Sequence, residues 1–135
     1  MDVGDRRVGI AFGDSIVRIA TPVDVITRAA IEQDLRALGE LIRKYEVEQL
    51  IVGLPRNMDS TVGAQAEAVI AYAQAIERAL KLPLTFWDER LTTVEATQRR
   101  NQTGARGKKS RRTLDAIAAA VILQDYLDSQ GNEGP

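Results

Sequence analysis

The chain has 135 residues, a mass of 14.8 kDa and a formal net charge of −1, which is the size of one domain that can bury a core without covalent staples. It contains neither cysteine nor histidine, which excludes disulfides, zinc–thiolate sites, thiol nucleophiles, Ser-His-Asp hydrolases and histidine-ligated metal enzymes. Any catalysis must therefore rest on Asp, Glu, Lys, Arg, Tyr, Ser, Thr and an oxygen-preferring metal ion.

The opening Met1-Asp2-Val3-Gly4-Asp5 is acidic and short, unlike a secretory signal. No apolar run approaches the roughly 20 residues that span a bilayer, so a cytoplasmic protein without membrane contact is expected. Val8–Phe12 and Ile19–Ile26 read as strands, and Pro22 suits an edge position because it cannot donate to a ladder. Ile31, Leu35, Leu38, Leu41, Ile42 and Tyr45 recur at helical spacing and predict a helix over about 29–45. Leu50-Ile51-Val52 is a wholly apolar strand of the parallel, doubly covered kind. Ser60 is the expected N-cap of an alanine-rich helix that reaches Leu80. Pro83–Trp87 forms a further strand leading into Asp88-Glu89-Arg90, and Thr92 with Glu95 fits a capping box for a short helix. A loop follows from Arg99, with Gly104 and Gly107. Thr113 is then the expected cap of a last helix, Leu114–Asp128, before a frayed tail over 130–135. Two or three antiparallel strands followed by helix, strand, helix, strand, helix predict a single α/β domain over 1–135, a mixed sheet with helices on both faces.

Three acidic positions stand at the ends of separate elements. Asp2 lies on a first strand ahead of Gly4 and a second strand, where a carboxylate can hold a metal above a sheet; it equally suits an ordinary turn. Asp88 and Glu89 follow an apolar strand directly, and ligands of open α/β sheets gather at such carboxyl ends. Strand alternation sends only one of the two toward a site; the other reading is a solvated pair beside Arg90. Asp115 is the only polar residue between Leu114 and Leu123, within a helix apolar enough to be buried nearly all round. A carboxylate there needs a cation close by, although a first-turn Asp also complements the helix dipole. Carboxylates from these elements can converge on one or two Mg²⁺ or Mn²⁺ ions, the arrangement that cleaves phosphodiesters without histidine.

Charge adds a polyanion partner. Residues 99–112 (RRNQTGARGKKSRR) hold seven of the 18 basic side chains and none of the 19 acidic ones, so Lys108, Lys109, Arg111 and Arg112 are expected to grip phosphates. Arg56, in the loop after the apolar strand, could also touch substrate, with a structural loop the competing reading.

The combination DVGDRRVGIA, GLPRNMDSTVG, WDERLTT and LDAIAAAVILQDYL resembles the YqgF/RuvX family of Holliday-junction resolvases, in order and over nearly the whole chain. The resemblance implies a ribonuclease H-like fold with a five-stranded mixed sheet, and a metal-dependent nuclease that cleaves Holliday junctions or processes the 5′ end of precursor 16S ribosomal RNA. Motif by motif, it places the catalytic and metal-binding acids on Asp2, Glu89 and Asp115. Junction resolution needs two symmetric cuts, so a homodimer is expected on branched DNA, whereas an RNA end requires one subunit. The chain departs from the family pattern in two places. Only Met1 precedes Asp2 where members carry several apolar residues, which shortens the first strand. Asp59-Ser60-Thr61 stands where the family reads Asp-Gly-Ser.

Two other functions compete with the nuclease. One is an ATP-binding protein of the actin and sugar-kinase type, which also places Asp-x-Gly on a first strand but needs two such domains. The other is a non-catalytic nucleic-acid-binding module. ATP titration separates the first from a nuclease, and metal-dependent cleavage separates the second.

Overall fold

In a computed structural model, residues 1–55, 63–89 and 111–131 are described. Strands β1 (Asp2–Val3), β2 (Arg7–Phe12) and β3 (Thr21–Thr27) form an antiparallel meander in that order. Strand β4 (Leu50–Leu54) pairs in parallel with β5 (Leu84–Asp88), with Val52 opposite Phe86. Helices α1 (Ile31–Tyr45), α2 (Ala64–Leu80) and α3 (Arg111–Gly131) complete the described elements.

The main chain of Met1 joins the two ladders. Its amino nitrogen donates to the Ile51 carbonyl, and the Gly53 N–H donates to the Met1 carbonyl at 3.0 Å. This is the slanted hydrogen-bond pattern of a parallel bridge centred on Val52. The five strands consequently run in the order β3-β2-β1-β4-β5. Pro22 lies on β3, at the outer edge of the meander, opposite Ala11 where the register shifts, in keeping with the edge position expected for a residue that lacks an N–H.

Alternation along the central strands divides the core between two faces. Val8, Ile10, Val52 and Leu54 enter one apolar cluster with Leu38 of α1 and Val69, Tyr72, Ala73 and Ile76 of α2. Gly9 and Gly53 lie on the opposite face, against Asp115 and Ile122 of α3. The expected α/β sandwich, helices on both faces of a mixed sheet, is what these residues build. No helix among the described residues is long and apolar enough to cross a membrane.

A buried polar group ties the first face to the β1–β2 turn. The Tyr72 hydroxyl donates to Asp34 Oδ2 and the Ala29 N–H donates to Asp34 Oδ1, each at 2.9 Å. The Arg28 guanidinium stacks 4.2 Å over the Tyr72 ring and donates to the Gly4 carbonyl at 2.8 Å. Burial, together with Asp34 beside it, pushes the Tyr72 hydroxyl pKa upward, so it stays a donor.

Helix starts differ from the sequence expectation. Helix α2 is capped by Gly63 without a side-chain bond, so Ser60, outside the described residues, is not its cap. Helix α3 begins at Arg111, which puts Thr113 inside it. A Thr cap is a local preference of about 1 kcal/mol, and Arg111 and Arg112 are good helix formers that let the helix extend backward. At its other end α3 includes Gln130 and Gly131, two residues expected in the tail. The short helix predicted around Thr92 and Glu95 lies outside the described residues.

Candidate active site

Asp2 stands on the short β1, and Glu89 follows the last residue of β5. Because β1, β4 and β5 run in parallel, both carboxylates emerge at one end of the sheet, and they hydrogen-bond to each other. Of the Asp88–Glu89 pair, alternation admits one, and Glu89 is the residue that meets Asp2. Asp88 closes β5 opposite Leu54.

Two carboxyl groups in hydrogen-bond contact must share a proton. Burial raises the Asp2 pKa first, and the charge of Asp115 adds to the rise. The N-terminal ammonium and the hydrogen bond from Glu89 work against it. Glu89 is pushed up to about 7 by burial, then by the charge of Asp2 and the hydrogen bond it donates there. Asp115 is thus close enough for its charge to bear on Asp2. Its own side chain is turned to Arg7, whose Nε donates to Oδ2 at 2.5 Å. Among the described residues, no three acidic side chains are arranged as a metal-binding cluster: Asp2 and Glu89 meet, and Asp115 is held to one side by Arg7.

Two glycines set this spacing. A Cβ on Gly9 would lie 2.0 Å from the Asp115 carbonyl oxygen, and one on Gly53 would lie 2.7 Å from Ile122 Cδ1 and 2.9 Å from Glu89 Oε1. The lack of side chains at these two positions lets α3 and Glu89 press against the sheet. Because α3 starts at Arg111, Asp115 falls beyond the first turn, which contains no acidic residue. The helix dipole acts over the first turn, so the cation beside Asp115 is Arg7 and not the helix end.

Arg56, Lys108 and Lys109 lie outside the described residues. Arg111 and Arg112 open α3, with Arg111 one turn ahead of Asp115. A cavity of about 400 Å³ next to the carboxylates is lined by Gly4, Asp5, Arg6, Arg7 and Asp115. A larger one, about 500 Å³, opens at the end of β2 and the start of β4, where Phe12, Tyr45, Leu50 and Leu127 make it mainly apolar. Neither Asp2, Glu89 nor Asp115 lines it. Sequence reasoning missed Arg7. The available signal was its i, i+2 spacing from Gly9, which places both on one face of β2.

The raised Glu89 pKa has a consequence for stability. A carboxyl whose pKa is higher folded (about 7) than its ordinary 4.5 binds its proton more tightly in the native state. Its contribution is fully present below the unfolded value and is lost as pH rises through the folded one. The metal-free protein is expected to lose melting temperature between pH 4.5 and about 7, and Glu89→Gln to flatten that decline. Scanning calorimetry across the range checks it; identical slopes for both proteins would refute the shared-proton pair.

The five-strand order and the helices on both faces define a ribonuclease H-like fold, with Asp2 opening β1 and Glu89 just after β5. The fold is similar to that of T. thermophilus RuvC in complex with a Holliday junction substrate, with a TM-score of 0.59 at 13% identity, covering 96% of this chain and 92% of that one. In sequence, the family model RuvX, Holliday junction resolvase, matches residues 1–129. The chain is 41% identical over 134 residues to a protein of Caldanaerobacter subterraneus subsp. tengcongensis, covering 98% of this chain and 96% of the relative. It is 43% identical over 134 residues to one of Moorella thermoacetica, covering 99% and 96%. Both relatives are named as candidate pre-16S rRNA nucleases. The chain belongs to the RuvX family.

Proposed function

We propose that the protein is a divalent-metal-dependent endonuclease that cleaves nucleic-acid phosphodiester bonds, with Asp2, Glu89 and Asp115 as its catalytic, metal-binding acids. The observation that carries this reading is the Asp2–Glu89 pair: two carboxyls in mutual contact, with the charge of Asp115 acting on Asp2, at one end of a sheet in a chain without histidine. Such a set is all oxygen and short of positive charge, which fits Mg²⁺ or Mn²⁺. When bound, the metal would supply an activated water and stabilise the leaving oxygen. For the chain's own part, Glu89 must give up the proton it shares with Asp2 when the metal binds, so affinity for the cation rises with pH through about 7. Asp2 and Asp115 contribute their carboxylates from β1 and α3.

For substrate, the family description supports a branched DNA junction, while the names of the relatives favour precursor 16S ribosomal RNA as an alternative. Side-by-side cleavage of a four-way junction and of the precursor RNA by one preparation, with and without Mg²⁺, tests both. Cleavage of neither substrate would leave the non-catalytic nucleic-acid-binding module. Two coordinated incisions need two centres, so on a junction the protein should sediment as a two-fold homodimer; paired incisions by a monomer would contradict this. A cytoplasmic location goes with either substrate.

Lys108, Lys109, Arg111 and Arg112 are proposed to contact phosphates just ahead of Asp115, with Arg56 as a further contact. Each duplex phosphate neutralised adds about −0.9 to the slope of log affinity against log salt. Changing the four to Ala is expected to flatten the slope by roughly 3–4 units. Binding isotherms at several salt concentrations read it, and an unchanged slope would mean that this segment does not touch the nucleic acid.

A further inference from the structure

Strand alternation places Arg7 and Gly9 on the α3 side of β2. Because Gly9 has no Cβ, the main chain of Asp115 lies directly against the strand, and Arg7, two residues along, reaches its carboxylate. The contact runs through Nε alone, one of five N–H donors on the guanidinium, and the pair borders the polar cavity beside Gly4 and Asp5. The two side chains are 29% and 24% exposed, so solvent reaches the pair and its net worth is small. A carboxylate held this lightly is open to a doubly charged competitor, and the charge of Asp115 already acts on Asp2.

We infer that Arg7 is a positioning residue, the resident counter-ion of Asp115 in the metal-free protein, and that it must yield this carboxylate when a divalent cation binds beside Asp2 and Glu89. The inference rests on the reading of Asp115 as a metal ligand proposed above. It has a sign that a purely structural ion pair lacks. A guanidinium that stabilises the metal-free state competes with the metal, so removing it weakens the metal-free fold and tightens metal binding. A pair that merely holds the site together would weaken both when broken.

The experiment is calorimetric titration of the full chain with Mn²⁺, for wild type, Arg7→Gln, Arg7→Lys and Asp115→Asn, together with thermal unfolding in the absence of metal. Arg7→Gln is expected to bind Mn²⁺ about fivefold more tightly and to melt at a lower temperature without it. Arg7→Lys keeps the charge but loses the Nε contact, so it shifts both quantities the same way by less; it carries the test should Arg7→Gln fail to fold. Asp115→Asn binds more weakly. Unchanged or weaker Mn²⁺ binding by the Arg7 variants, with Asp115→Asn weakened, would overturn the competition and leave the ligand intact. Unchanged binding by Asp115→Asn would overturn the ligand assignment and the inference together.

Discussion

Asp2→Asn, Glu89→Gln and Asp115→Asn are each expected to lower metal-dependent cleavage on the order of 10³-fold, with affinity for nucleic acid little changed. Each substitution preserves side-chain shape and removes one charged oxygen donor, so the loss falls on the chemistry and not on the fold. The three act as a unit, so a double variant should lose little more than either single one. Glu89→Gln carries a second expectation of opposite sign. Burial and the charge of Asp2 both disfavour the ionised Glu89, and a neutral amide relieves them. Above about pH 7 the inactive variant should therefore melt higher than the wild type when metal is absent. Single-turnover cleavage and metal-free melting curves on the same samples read both effects. A variant that cleaves like the wild type would remove its residue from the site. A Glu89→Gln protein that melts lower at alkaline pH would mean that this carboxyl is not under electrostatic strain.

What the sequence disclosed depended on the range of the interaction that decides each feature. The apolar run Leu50-Ile51-Val52 shows a doubly covered strand because burial on both faces leaves no polar position, and β4 lies between α2 and α3 as that pattern requires. Asp115 stood out because its apolar neighbours are adjacent in sequence. Its partner did not, since Arg7 is 108 residues away and only the pairing of β2 with α3 brings them together. Alternation reduced Asp88 and Glu89 to a choice of one, and Glu89 is the one in contact with Asp2. Helix starts were the least legible feature. Ser60 and Thr113 have the right cap chemistry, but a cap is worth only about 1 kcal/mol, less than what packing an apolar face gains. The shift of the α3 start to Arg111 matters for the site, because it moves Asp115 out of the first turn and away from the dipole explanation.

Gly9→Ala is expected to be the most damaging small substitution, costing about 3 kcal/mol of stability and displacing Asp115. The added Cβ would sit 2.0 Å from the Asp115 carbonyl oxygen and 2.6 Å from its carbonyl carbon. Both are main-chain atoms of a helix, so no rotamer change relieves the overlap, and either α3 or β2 must move. Movement of α3 breaks the contact between Arg7 Nε and Asp115, which depends on the same close approach. Gly53→Ala meets Ile122 Cδ1 at 2.7 Å and Glu89 Oε1 at 2.9 Å. Those side-chain ends can turn aside, so the stability cost is smaller while Glu89 is pushed from Asp2. Gly39, inside α1, provides the control: its nearest neighbour would be Leu80 Cδ2 at 4.0 Å, and Ala there should stabilise the helix by about 0.5–1 kcal/mol. Urea unfolding of the three variants should rank them Gly39→Ala above Gly53→Ala above Gly9→Ala. Cleavage should fall in Gly53→Ala and Gly9→Ala even where both remain folded. A Gly9→Ala protein as stable and active as the wild type would show that α3 does not lie against β2 at Asp115, and the placement of the third carboxylate would fall with it.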